Sequence, residues 1–480
     1  MVPGEKIASG KPPAPRFKMG RYAAPTVRRS SSGPQGAVLE RTPAKPVAPA
    51  PAPVSRVEPN AEIANGPSRI GFFFLVCFVF TSASRVFDLA LDWLHLPLIL
   101  SILAAVFTVV GGALGSSLQT RAAKLLSLFS VWIVVCVPFS VWKGASFALL
   151  KDEYFKSFLV FLMVAGSVTT FARIRTLMTA VACGTVLATI VALSFNARLE
   201  GRLVMKSGYL SNPNDFAQIL LVGMCFLPVI SASRSRMATW FVWLSTPLLM
   251  IALYLTGSRA VLLTLLAVGV IVFFYASPGR KLVLLCAVVL CVAGFFSVAS
   301  TSRNRLTALF TNAQPYEQDN EANASTQNRT RALKSSLILT IRNPIFGVGP
   351  GVFDTAAADL SHESGQRALW LQSHNSYTQV SSETGFPGIL LFGGAVLASI
   401  VDLLRIRHSR KPHPSSVSRV INCVLLGFVS FAVTCLFSSV AYQFYFCMML
   451  GLCAATIVAA GRAAVPVRPS LSTVSRAPVR

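Results

Sequence analysis

Between Ile70 and Ala460 the sequence is built from apolar runs close to the length a helix needs to cross a bilayer, about 20 residues. Twelve can be marked, at roughly 70–90, 96–115, 125–142, 155–172, 177–195, 213–231, 237–256, 259–276, 281–300, 384–404, 418–438 and 440–460. A bilayer interior offers no water to backbone N–H and C=O groups, so only helices and closed barrels span it. Barrel strands take about 9–11 residues, too few for these runs. The expected fold class is therefore all-α: a polytopic inner-membrane helical bundle of about 12 transmembrane helices. Charged residues make up 13% of the chain, about half the ~25% usual in soluble domains, which argues against a soluble fold.

The formal charge of +25 does not signal nucleic acid, because the basic residues lie in short loops and tails without base-stacking aromatics between them. With the N-terminus inside, the inner short loops hold 13 Lys/Arg and the outer ones eight, which predicts that both termini are cytoplasmic. Residues 1–69 hold 13 of the 28 prolines and 11 Lys/Arg against four Glu, a composition predicting a disordered Pro/Ala-rich basic cytoplasmic tail. It does not read as a signal peptide, since the first apolar run begins only at Ile70. Residues 461–480 read as a second basic cytoplasmic tail. All ten cysteines sit inside apolar runs without a CxxC pair, and the five histidines are scattered, so no metal or cofactor is expected.

One connection is out of proportion. Residues 301–376, between the ninth and tenth runs, form a large loop on the outer, periplasmic side, and loops this long are usually functional or disordered. Leu333, Leu337, Ile338 and Ile341 recur at i, i+4, i+5 and i+8, an amphipathic helical stripe that Pro344 should end. The domain reading is thus a tail (1–69), a transmembrane domain (70–460) containing this helical loop, and a tail (461–480).

Four groups of residues could carry chemistry. Thr256-Gly257-Ser258-Arg259 breaks the seventh run from the eighth; Arg259 is either an interfacial arginine that snorkels or one facing a functional cavity. Arg202 precedes Ser211-Asn212-Pro213-Asn214-Asp215, a helix-start pattern with an Asx cap and proline in the first turn. Arg202 itself could bind an anion or nothing. Asn328-Arg329-Thr330-Arg331 reads as the opening of the loop helix, placing guanidiniums against its dipole and so suggesting an anion. The run Asn343 to Gly351 that follows lacks the Lys-Ser/Thr of a phosphate-binding loop and reads as a turn. Last, Ser373-His374-Asn375-Ser376-Tyr377 marks the re-entry into the membrane, followed by Glu383-Thr384-Gly385-Phe386-Pro387-Gly388. A lone histidine is more often structural, but an imidazole at the outer mouth of a bundle suits proton abstraction from a hydroxyl.

Taken in order, RL followed by SNPNDFA, TGSRA, NRT…NPIFGVGPGVF and SHNSY…ETGFPGILLF resemble the O-antigen ligase and polymerase superfamily over roughly residues 200–405. One departure is Leu333, where the family often has a tryptophan. The resemblance implies glycan transfer at the periplasmic face from an undecaprenyl-diphosphate-linked donor. It carries the donor-diphosphate contact to Arg259, Arg329 and Arg202, acceptor activation to His374, and an orienting role to Asn375. The acceptor it implies is lipid A core for a ligase or another lipid-linked glycan for a polymerase. The basic proline-rich tail would suit a polysaccharide-export or chain-length partner. No DxD sequence occurs, so the expected reaction is metal-independent and arginine-based. A lipid-linked glycan transporter would not need the outer loop, and a membrane scaffold would not need the His and Arg set.

Overall fold

The computed structural model describes residues 66–199, 201–205, 208–231, 235–275, 281, 317–365, 370, 372–409 and 413–464. Nearly all of both tails, the 281–300 run and the first part of the long loop lie outside the described residues. What is described is all-α apart from a two-residue antiparallel ribbon, Arg198–Leu199 with Arg202–Leu203.

Seven described helices are long and apolar enough to cross a membrane: Arg121–Phe139, Phe171–Ser194, Pro213–Ile230, Arg236–Leu255, Ser376–Arg407, Ser415–Thr434 and Phe444–Ala463. Ser68–Ser84, Leu96–Val110 and Arg259–Phe274 are apolar but shorter. Local chemistry sets several starts. Thr120 and Thr170 accept N–H bonds from Ala123 and Arg173 as N-caps, satisfying donors that helix starts leave free. The Phe444–Ala463 helix lies at the centre, 78% of it buried, while Arg236–Leu255 is peripheral at 22%, with Trp240 and Trp243 on its outer face. Small residues let helices approach closely, as where Gly451 meets Val164 and Gly223 meets Thr185.

Three expectations need correction. The 155–172 run is not a separate element: helix runs from Lys143–Leu149 through a π-helical turn, Leu150–Tyr154, into Phe155–Ser167. Asp152 and Glu153, which fall between the 125–142 and 155–172 runs, are therefore helical. The loop helix starts at Glu317 and ends at Arg342, so Arg329 lies well inside it and the dipole argument for an anion there fails. Polar sequence alone hid that first stretch of helix. Finally, the stripe of Leu333, Leu337, Ile338 and Ile341 faces outward, with Ile341 73% exposed, while Ala332, Ser336, Leu339 and Thr340 form the buried face. Apolar periodicity marks a face that avoids water; it does not say that protein covers it.

The loop has a small core of its own, where Ala332 and Leu339 meet Val348, Val352, Phe353, Ala356, Ala357 and Leu360 of the following turn and the Phe353–Glu363 helix. It is tied to the bundle at a broken helix. Ser376–Arg407 is interrupted at Gly385 (φ 72°, ψ −171°), just before Pro387. The break frees carbonyls that would cost several kcal/mol if left unpaired in hydrocarbon. Val348 N–H takes the Ser382 carbonyl at 2.8 Å and Gly349 N–H that of Glu383 at 3.0 Å. The Trp132 indole donates to the Thr384 carbonyl at 2.9 Å. In return Phe386 N–H donates to the Pro344 carbonyl at 2.8 Å. A Cβ on Gly347 would strike the backbone of Glu383, and one on Gly385 the backbone of Ile345. The glycine run after Asn343 is thus the partner of a kinked helix.

Candidate active site

The sequence groups converge in pairs. Asn212 caps the Pro213–Ile230 helix, its Oδ1 accepting from Asn214 N–H at 2.9 Å. Asn214 Oδ1 in turn accepts from Arg202 Nη2 at 2.9 Å and from Ser258 Oγ at 3.0 Å. Arg202 Nε donates to the Thr256 carbonyl at 2.7 Å. The ribbon, the helix start and the Thr256-Gly257-Ser258 turn are locked together immediately before Arg259.

His374 sits in an equally defined place. Its backbone has φ 51°, a left-handed conformation uncommon outside glycine and worth reading as a functional constraint. On its C-terminal side Asn375 caps the long helix, its Oδ1 accepting from Tyr377 N–H at 2.9 Å and Thr378 N–H at 3.2 Å. Ser376 N–H donates to the Cys435 carbonyl at 2.8 Å, and Ser376 Oγ donates to the Ser438 carbonyl at 2.6 Å. On its N-terminal side Ser373 Oγ is 2.8 Å from Ser439 Oγ. The linker between the last two helices thus clamps His374 from both flanks.

Two cavities meet at this residue. One, of about 320 Å³, is lined by Arg259, Arg329, Thr330, Ser373, His374 and Asn375, with Ala260, Leu263, Leu333, Leu436 and Phe437 as apolar wall. The other, of about 280 Å³, is polar, lined among others by Glu153, Asp215, Asp354, Gln379, Glu383, Tyr442 and Gln443, and also by Ser373 and His374. Of the five residues marked in the sequence, Arg259, Arg329, His374 and Asn375 share the first cavity. Arg202 does not line it; its guanidinium braces the turn that carries Arg259. The Asn375 side-chain oxygen is engaged in the helix cap.

The electrostatics of the first cavity are those of an anion site. Burial, then the charge of Arg259, lowers the Arg329 pKa from its ordinary value. Two guanidiniums held close enough to perturb one another are stabilised by an anion between them, and their planar forks suit phosphate oxygens. Burial first, and the Arg329 charge second, lower the His374 pKa, so the imidazole is neutral at physiological pH and able to accept a proton.

The second cavity was missed in the sequence. Glu383 is buried in the kinked helix, its carboxylate accepting from Gly351 N–H at 2.9 Å and Phe353 N–H at 3.3 Å. Burial raises the Glu153 pKa, and burial together with the Glu383 charge raises that of Tyr442. The available signal was the carboxylate itself: an acid beside an apolar span is costly enough to be a functional candidate. Among the described residues no group of three or more His, Cys, Asp or Glu could hold a metal ion.

No curated protein matches the chain. The family model described as O-Antigen ligase matches residues 241–393, a stretch that contains Arg259, Arg329, His374, Asn375 and Glu383 and leaves out Arg202. That match, over about a third of the chain, supports the resemblance of its motifs to the O-antigen ligase and polymerase superfamily.

Proposed function

We propose that this multi-pass membrane protein is an inner-membrane glycosyltransferase that moves an undecaprenyl-diphosphate-linked glycan onto an acceptor hydroxyl at the periplasmic face. The observation that carries the reading is the cavity that Arg259, Arg329 and His374 line together. The acceptor oxygen attacks the anomeric carbon, the bond from that carbon to the diphosphate breaks, and the hydroxyl proton passes to the imidazole. The lipid diphosphate leaves between the two guanidiniums. Because that leaving group is already good, positioning and charge stabilisation supply most of the rate. In this reading the chain crosses the membrane about twelve times with both tails cytoplasmic, and the 301–376 loop is periplasmic. Its partners are the lipid-linked donor, membrane lipids and a glycan acceptor.

A ligase and a polymerase share this donor step and differ in the acceptor. Deleting the gene in its host, with lipopolysaccharide gels and an assay of secreted polysaccharide, separates them. Lost O-antigen ladder with accumulated long lipid-linked glycan identifies a ligase acting on lipid A core. Normal ladder, single lipid-linked repeat units and lost exopolysaccharide identify a polymerase. If no glycan changes, the transferase reading fails.

A further inference from the structure

We infer that the polar cavity on the far side of His374 is the acceptor subsite, and that its lining selects an uncharged or amine-bearing sugar over an acidic one. This deepens the transferase reading and rests on it.

Among the described residues the two cavities differ in charge. The one holding Arg259 and Arg329 has no described carboxylate in its lining. The other is lined by the carboxyl groups of Glu153, Asp215, Asp354 and Glu383 and by no described Lys or Arg. A diphosphate finds guanidiniums in the first and carboxyl groups in the second. The second also holds buried oxygens that have no partner among the described residues. The side-chain oxygens of Gln379 and Gln443 are buried there without a hydrogen-bond partner. The Tyr442 hydroxyl, in a residue only 2% exposed, faces the Glu383 carboxylate yet makes no hydrogen bond of ordinary geometry. Buried oxygens without donors are costly until a ligand supplies the protons. A sugar ring does this with several O–H groups, and an amino sugar adds a cation, whereas a uronic acid or sugar phosphate brings an anion to a space lined by carboxyl groups and no described cation.

Size agrees. About 280 Å³ lies at the lower edge of ligand clefts, which run from ~300 Å³ upward, and suits one terminal sugar rather than a chain. Position agrees as well, because the wall between the two spaces is His374 with Ser373 and Phe437. An acceptor hydroxyl entering from the polar side meets the imidazole with the diphosphate opposite.

The test uses the full chain in lipid nanodiscs and ligand-observed NMR with three probes on the same ring: methyl glucoside, methyl glucosaminide and methyl glucuronide. The first two are expected to bind saturably, and the glucuronide about tenfold more weakly or not at all, as loss of a charge-complementary contact implies. Glu153→Gln and Gln443→Ala are each expected to weaken glucoside binding while undecaprenyl diphosphate binds as in wild type. Equal binding of the glucuronide, or undiminished glucoside binding in both variants, overturns the acceptor assignment alone. Failure of wild-type protein to bind undecaprenyl diphosphate overturns the transferase reading instead.

Discussion

Arg202 Nε donates to the main-chain oxygen of Thr256 across 54 residues of sequence, at 2.7 Å. With the 2.9 Å bond to Asn214, this makes Arg202 the tie between a ribbon, a helix start and the turn before Arg259. Charged hydrogen bonds of this kind contribute about 1.5–3 kcal/mol each. Arg202→Ala is therefore expected to lower the melting temperature and transfer together. Wild-type melting with lost transfer would put Arg202 on the donor instead of behind it.

Arg259→Lys should fail almost as badly as Arg259→Ala. A single ammonium keeps the charge but cannot grip two phosphate oxygens at once, and loss of one preorganised donor commonly costs about 10²–10³ in rate. Initial rates with purified variants in nanodiscs decide it. A fully active lysine variant reduces the role to generic charge.

His374→Ala should abolish transfer while its membrane level stays near wild type, because the side chain lines open space on two sides. The pH profile carries a sign. Catalysis needs the neutral imidazole, whose pKa is lowered by burial and by Arg329, so activity is retained on acidification past the ordinary histidine value and lost only as pH falls through the lowered one. Arg329→Gln removes a repelling charge and should move that acid limb upward. An unmoved limb means the titrating group is not His374.

Gly385→Ala should cost folded protein. At φ 72° and ψ −171°, a region essentially reserved for glycine, a side chain is strained by about 1–3 kcal/mol, and its Cβ would also strike the Ile345 backbone. Gly393→Ala, in the same helix with nothing within 4 Å of the added carbon, should be tolerated. Fluorescence-detected size exclusion of the two variants tests the contrast.

What the sequence discloses follows the range of the interaction. The Asn212 cap and Pro213 start were legible because capping acts over two or three residues. Long apolar runs were legible because the solvent imposes them. The helical path from Lys143 to Ser167 was not, since Lys151, Asp152 and Glu153 interrupt the hydropathy although the backbone continues through a π turn. Nor was the second cavity. Glu383 meets Gly351 at a separation of 32 residues, while Asp215 reaches the same space from another helix, and Tyr442 and Gln443 from the turn before the last helix. The arginines and His374 could be marked one by one, whereas the sharing of one space by Arg259 and Arg329 depends on how the loop helix seats on the bundle.

The wall that His374 forms between two spaces has a consequence for kinetic order. If the proposed donor lies on one side and the acceptor on the other, the two do not compete for volume, and both can be resident before any bond changes. The proposal then predicts a ternary complex in place of a glycosyl-enzyme. Initial-rate plots against donor at fixed acceptor concentrations are expected to intersect, and the anomeric configuration is expected to invert once per turnover; parallel plots or retention would count against separate rooms for the incoming oxygen and the departing diphosphate.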